Sequence, residues 1–353
     1  MFKRILNLLL ILVPVAIAGE YLFHFSPLVL LILSALGMIP LAGLLGEATE
    51  ELALHTGPRI GGLLNATLGN AAELIITVVA LRRGLVELVK ASITGSIIGN
   101  LLLILGASLL LGGLKHGRQT FDRRVTGLAA TQMTLAVIAL AIPTLFAIPR
   151  EGQILLLSEE VAGVMILLYA LYLVYSFTQG AADPHVEMET GVDTHETHTP
   201  RWSVPVALGV LAVSTLAIVF LSEILVVAVE EAVEGLGLSE FFLGIILIPL
   251  VGNVAEHLVG VTAAYKNQME LSLAISLGSS LQIALFVAPL LVFISLFVGP
   301  EPMNLVFTQF ELIALAAASL IATFVSLDGE SNWLEGAQLL AVYAILAFAF
   351  FFV

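Results

Sequence analysis

Cysteine is absent from the 353-residue chain. Its absence removes disulfides, thiolate nucleophiles and soft metal sites together, and leaves oxygen ligands with a few histidine nitrogens. The redox compartment is therefore not legible. Charged residues are also scarce, at 11%, while 59% of the chain is hydrophobic and the mean hydropathy is +1.07. Soluble domains carry about a quarter charged residues, so the chain reads as an integral membrane protein. Basic residues are scarcer still: 13 Lys and Arg face 27 Asp and Glu, for a net charge of −14. Nucleic acid, whose phosphates demand Lys and Arg, is excluded as a partner, and cations are favoured. Polar sequence long enough for a soluble domain is lacking too. Each membrane span consumes about 20 residues, so ten or eleven spans use up most of the chain and leave no room for a separate catalytic domain. Any chemistry must sit inside the membrane or in short loops.

Apolar runs bounded by Gly, Pro and charge predict helices near 5–23, 27–55, 61–82, 86–112, 124–148, 154–178, 203–233, 240–265, 269–298, 304–326 and 333–353. The expectation is an all-α integral membrane protein with eleven transmembrane helices. The first run follows Lys3 and Arg4 and passes Ala16-Ile17-Ala18, so a cleaved signal peptide is the alternative to an anchor. With the N-terminus in the cytoplasm, nine of the 13 basic residues fall on that side: Lys3, Arg4, Arg59, Lys115, Arg118, Arg123, Arg124, Arg201 and Lys266. Arg82, Arg83, Lys90 and Arg150 then lie outside. From Thr178 to Trp202 the chain is polar, with five acids and His185, His195 and His198. This stretch reads as a solvated linker, or as a cytoplasmic element that senses a divalent cation or pH.

Sliding the sequence over itself by 183 positions sets Gly69-Asn70-Ala71-Ala72-Glu73 on Gly252-Asn253-Val254-Ala255-Glu256. The register holds without a gap, and eleven of the 28 positions from 69 to 96 match, where composition alone gives roughly three. Each half contains five spans. An odd number inverts the second copy, so the expected organisation is an N-terminal helix (1–26), a first five-helix repeat (27–178), a linker (179–202) and a second, inverted repeat (203–353). Two Gly-Asn segments entering from opposite faces meet at the midplane in the architecture of a secondary transporter.

Glu73 and Glu256 each fall in mid-span among Ala, Val, Leu and Ile. An ionised carboxylate there costs several kcal/mol unless compensated, which marks both as functional. Gly-Asn-x-x-Glu spacing sets Asn and Glu on one helix face, and the Gly loosens the helix and exposes carbonyls. Glu73, Glu256, Asn70 and Asn253, with backbone oxygens at Gly69 and Gly252, supply the six to eight oxygens that Ca²⁺ takes. Mg²⁺ dehydrates too reluctantly to fit as well. Two carboxylates sum to zero charge with one divalent ion or with two protons, whereas the empty site carries −2 and is costly in low dielectric. Such a site exchanges one cargo for the other.

At these residues the sequence resembles the microbial calcium/proton antiporters of the cation/proton exchanger family, within the calcium/cation antiporter superfamily. The likeness is most specific at Gly57-Pro58-Arg59-Ile60-Gly61-Gly62-Leu63-Leu64-Asn65-Ala66-Thr67, at Gly69 to Leu74, and at Gly252 to His257. Gly95-Ser96, Gly278-Ser279-Ser280-Leu281-Gln282 and Gly329-Glu330-Ser331-Asn332-Trp333 add to it. The resemblance implies eleven spans, an acidic segment between the sixth and seventh, and inverted repeats whose glutamates, here Glu73 and Glu256, take calcium and protons in turn. It also implies helices that slide to expose the site to alternate sides. The family's acidic helix is only loosely matched by the stretch from Thr178 to Trp202.

Around that centre, His257 lies about 100° around the helix from Glu256, so a hydrogen bond to a neighbouring helix fits it better than direct ligation. Ser96, Asn100, Ser279, Ser280 and Gln282 occupy the next spans, as packing residues or as supports for the glutamates. Glu47, Glu51, Glu230 and Glu234 align in the same register, with Glu50 and Glu231 beside them. They form candidate ion entrances at opposite mouths, or wetted helix ends. Glu223 also falls within a span, with Ser222 as a local partner.

The expected function is export of Ca²⁺ from the cytoplasm in exchange for H⁺ by alternating access, with Mn²⁺ as a further candidate cargo and no cofactor. A sodium/calcium exchanger is the nearest rival, and a cation channel the next. An intramembrane hydrolase is disfavoured, because HExxH, GxSxG and Ser-His-Asp patterns are missing. The bilayer is the expected partner, a homo-oligomer is compatible with the sequence, and a prokaryotic cytoplasmic membrane is the expected location.

Overall fold

Stretches of 20 to 30 apolar residues satisfy their backbone polar groups away from water only by winding into helices. The computed structural model describes residues 6, 8–56, 58–147, 153–179, 200–236 and 239–352. Most of the polar linker, with its three histidines, lies outside the described residues, as do Lys3, Arg4 and Arg150. Helices α1 (Leu12–Ala18, continued by a π-turn over Gly19–Phe23), α2 (Pro27–Thr56), α3 (Pro58–Leu68) and α4 (Ala71–Arg82) come first. They are followed by α5 (Val86–His116), α6 (Arg123–Ala147), α7 (Ile154–Gln179), α8 (Val204–Leu236) and α9 (Glu240–Gly252). The rest are α10 (Val254–Tyr265), α11 (Met269–Ser295), α12 (Gln309–Ser326) and α13 (Trp333–Phe351). A two-residue antiparallel ribbon pairs β1 (Gln119–Thr120) with β2 (Glu330–Ser331), Gln119 opposite Ser331.

Among the described residues eight helices are long and apolar enough to cross a membrane, and α9 with α10 makes a ninth as a bent pair. The shortfall from eleven has a physical reason. Leu12–Phe23 is short, and the run expected as one span over 61–82 is two helices, α3 and α4, each too short to cross alone. The expected span over 240–265 is likewise interrupted. A further difference is the run from 304, where the helix starts only at Gln309. Thr308 is extended (φ −68°, ψ 157°) and forms a capping box with Glu311, which fixes the start.

The chain divides into two compact units, and each draws on both sequence halves. One contains residues 1–92, 197–255 and 351–353; the other contains 93–196 and 256–350. In the first unit the long helices α2 and α8 pack chiefly on each other, and Gly37 brings them together: a Cβ there would stand 3.2 Å from Leu221 Cδ1. Helix α4 packs on α8, and the end of α9 packs on α2 and α4. In the second unit α5 and α11 are mostly buried, while α7 and α13 present largely apolar exposed faces. α6 packs on α12, and the two arms of α11 pack on α6 and α7. The crossing of α5 and α13 is set by Gly106 and Gly336. A Cβ on Gly336 would fall 2.6 Å from Gly106 O and closer still to Leu110 N. Small residues at such crossings are how helices approach when there is no water to expel.

The obstruction at Gly336 is backbone and cannot rotate away. Gly336→Ala should therefore destabilise the protein by about 1–3 kcal/mol, whereas Gly163→Ala, with open space around it, should be neutral or slightly stabilising. Heat-induced loss of the monodisperse peak in detergent would separate the two, and equal melting of both variants would contradict this packing.

Candidate functional site

Two asparagines interrupt helices at positions 183 apart. Asn70, between α3 and α4, has φ −98° and ψ 22°; Asn253, between α9 and α10, has φ −105° and ψ 10°. Both occupy the sparse bridge region, where residues of functional sites recur. The sequence leads one to expect Glu73 and Glu256 in the middle of continuous spans. They lie instead in the first turn of a new helix, each at its third position. The interruption leaves a carboxylate at the positive end of the peptide dipoles, near N–H groups with no partner inside the helix. The matching of the copies extends further: π-turns occur at Gly99–Ile104 in α5 and at Ile283–Val287 in α11, almost the same offset. Such π-turns are rare and collect at functional sites.

Within the first unit, Asn70, Glu73 and Asn253 are all buried, Glu73 to 1% exposure. A Cβ on Gly252 would stand 3.4 Å from Glu73 Cβ and 3.6 Å from its Cα. The second interruption therefore lies against the glutamate of the first.

Within the second unit, Ser279 on α11 donates to Glu256 Oε2, and Asn100 Nδ2 on α5 donates to Ser279 Oγ at 3.0 Å. Of the two roles expected for Asn100 and Ser279, these bonds are those of supports: Ser279 holds the carboxylate, and Asn100 reaches it through Ser279. Ser280 instead returns its hydroxyl to Ser276 O at 2.8 Å. Ser96 is buried and Gln282 half-buried on the same helices. His257 is 7% exposed, and its Nε2 has no hydrogen-bond partner among the described residues, so the expected bond to a neighbouring helix is not made by that atom.

The outer acids divide by environment. Glu51 is buried and accepts from Arg201 N at 2.8 Å and Trp202 N at 3.1 Å, which ties the chain entering α8 to α2. Glu223 pairs with Arg82 at 3.2 Å and Arg83 at 3.5 Å, and Glu230 with Arg83 at 3.2 Å. Ser222 does not serve Glu223: its hydroxyl donates to Ile218 O within the helix. Glu230, Glu231 and Glu240 line a cavity of about 430 Å³ with Leu85, Val229 and Val233. Glu47 is half-buried and Glu50 exposed, while the side chain of Glu234 lies outside the described residues.

A buried acid missed in the sequence is Glu311, 1% exposed, which accepts from Thr94 Oγ1 at 2.9 Å and Thr308 N at 2.8 Å. Its signal was available as the Thr-x-x-Glu pattern at 308–311. Among the described residues no three His, Asp or Glu side chains are placed to hold one metal ion, so any cation held here needs amide and carbonyl oxygens beside the carboxylates.

The profile of the sodium/calcium exchanger protein family matches residues 26–178 and 206–352. The chain belongs to this family. It is 45% identical to the Ca²⁺/H⁺ antiporter of Aphanothece halophytica, with 98% of this chain and 95% of that one covered. It is 44% identical to the Ca²⁺/H⁺ antiporter ChaA of Bacillus subtilis, with 96% of each covered. The solved structure of native YfkE aligns with a TM-score of 0.85 at 40% identity, covering 99% of this chain and all of that one. The two matched segments flank the polar linker, so family membership rests on them and not on the stretch between them.

Removing the Ser279 hydroxyl takes a donor from Glu256 and an acceptor from Asn100 at a buried point. Ser279→Ala should therefore cost about 1–3 kcal/mol, while Ser280→Ala, which loses only a bond within its own helix, should cost under about 0.5 kcal/mol. Melting curves of the two purified variants check the order, and a reversed order would refute the assignment.

Proposed function

We propose that this chain is a secondary antiporter that carries Ca²⁺ out of the cytoplasm in exchange for H⁺, with Glu73 and Glu256 taking calcium and protons in turn. One observation carries the reading: each sequence half holds a buried, interrupted helix that opens on an asparagine and places a glutamate in its first turn. Full-length relatives named as Ca²⁺/H⁺ antiporters support it.

In this reading both glutamates share one ion. Asn70 and Asn253 add amide oxygens, and carbonyls freed at the interruptions around Gly69 and Gly252 complete the six to eight oxygens that Ca²⁺ takes. Calcium is cargo here, not a resident cofactor, and Mn²⁺ is a second cargo compatible with oxygen ligands. Exchange follows from charge. A dication on two carboxylates and a proton on each are both neutral, whereas the empty pair carries −2, so the switch between membrane faces proceeds only with the site filled.

The architecture belongs to the same proposal. The short α1, the pair α3–α4, the pair α9–α10 and the eight long helices make eleven spans, with two five-helix repeats of opposite orientation after the first helix. The N-terminus is cytoplasmic and the location is a prokaryotic cell membrane, in keeping with the distribution of Lys and Arg.

Proteoliposomes loaded with acid or with sodium test the reading. A proton gradient should drive ⁴⁵Ca²⁺ uptake and a sodium gradient should not; uptake driven by sodium alone would assign the chain to sodium/calcium exchange, the reading that the family description favours. Glu73→Gln and Glu256→Gln should each lower exchange at least about 100-fold, as the loss of about 3 kcal/mol of ion binding requires, while the protein still folds. Near-normal exchange in either variant would refute the mechanism.

A further inference from the structure

Three helix faces converge inside the second unit. Gly260 on α10 is the pivot: a Cβ there would stand 3.4 Å from Ile104 Cγ2 on α5, 3.8 Å from Ile275 Cγ2 and 3.9 Å from Ser272 Oγ on α11. His257, Gly260 and Ala264 share one face of α10; Ser272, Ser276 and Ser279 share one face of α11; Asn100, Ile104, Ser108 and Gly112 follow one stripe of α5. The seam between them starts at the chain of Asn100, Ser279 and Glu256. It ends at Gln119, whose carboxamide lies on Gly112 and donates to Ala264 O at 2.9 Å and Asn267 Oδ1 at 3.0 Å. From Glu256 to Ala264 is about 12 Å of helix.

Between those ends five polar atoms are buried and unpartnered among the described residues. His257 Nε2, Ser276 Oγ, Ser272 Oγ, Ser108 Oγ and Gln119 Oε1 have no hydrogen-bond partner among the described residues. Ser108, Ser272 and Ser276 are at most 1% exposed, and His257 is more than nine-tenths buried. Orphans this deep are rare, and water is what ordinarily satisfies them. Helix packing does not explain them, because the other copy dispenses with them. In the 183-residue register His257, Ser272 and Ser276 correspond to Leu74, Val89 and Ile93, and Ser108 and Asn100 correspond to Leu291 and Ile283. The duplicated scaffold packs with apolar residues at all five places.

We infer that this seam holds a file of ordered waters that carries protons between Glu256 and the end of the unit bearing Gln119, Lys115 and His116, a route separate from that of the cation. The inference rests on the proposed antiport. Each hop breaks one O–H bond and forms another, so a proton enters at one end, one leaves at the other, and the waters are unchanged. Ca²⁺ does not follow, since neutral hydroxyls along a file one water wide do not replace its six to eight oxygen ligands.

The test fills the seam without touching Glu256. Ser272→Val with Ser276→Val puts methyl groups where water would sit, and should slow proton-driven ⁴⁵Ca²⁺ uptake at least tenfold with KM for Ca²⁺ within twofold; the double Ala variant, which leaves the space, should lose less than threefold. A valine variant within twofold of wild type overturns the inference. Should that variant misfold, pulsed X-ray radiolysis of the wild-type protein provides the second measurement, because bound water oxidises its neighbours. Oxidation of buried His257 at a rate comparable to exposed His116 supports the file, and an unmodified His257 overturns it. Absence of proton-driven uptake in the wild type would instead sink the antiport reading, which separates the two failures.

Discussion

A backbone that passes through hydrocarbon has no water to bond, so each peptide group must find its partner within the protein. A helix interrupted in mid-membrane breaks that requirement at several groups at once. It persists only where those groups serve something, or where side chains replace the lost partners. Here the interruptions at Asn70 and Asn253 set Glu73 and Glu256 at helix starts, where N–H groups and peptide dipoles face a carboxylate. A carboxylate in the middle of an intact helix would have none of these.

That distinction also marks the limit of sequence reading. Hydropathy located the long helices to within a few residues, because a membrane-length apolar run has one solution. The repeat was equally plain, since Gly-Asn-x-x-Glu recurs in a gapless register. What hydropathy could not register was the interruption itself: residues 61–82 are apolar enough on average to read as one span, and one Gly-Asn pair weighs little in a sliding average. The late start of α12 was hidden for the converse reason, because the residues before Thr308 are apolar enough to read as helix although a cap excludes them. The partners of polar side chains were the least visible. Glu223 could be flagged as a costly acid, yet Arg82 and Arg83, 140 residues away in the chain, are brought to it only by the packing of α4 on α8.

The two copies are alike in backbone and unlike in side chains. Both carry the asparagine interruption, the first-turn glutamate and the π-turn. Ser96 and Ser279 are also matched. Asn100, which completes the link to Glu256 through Ser279, has the apolar Ile283 as its counterpart in the register. In the proposed antiport a dication held by two carboxylates needs both copies, and the glutamates and asparagines are present in duplicate. Delivering a proton needs a polar path to one carboxylate, and one copy suffices.

This asymmetry bears on how an exchanger of two positive cargoes avoids leaking either. If protons and calcium reached the site by a single wide aqueous passage, the dication would meet its competitor along the whole way, and an open passage would conduct both. A narrow file of hydroxyls separates them by chemistry. Protons cross it by exchange of bonds and need no space of their own, while a calcium ion would have to shed most of its shell among neutral groups too few to replace it. At the corresponding register positions of the other copy stand Leu74, Val89 and Ile93, which offer no polar atom for such a file. In the proposed antiport coupling then depends on the carboxylates, where the two cargoes compete for the same oxygens.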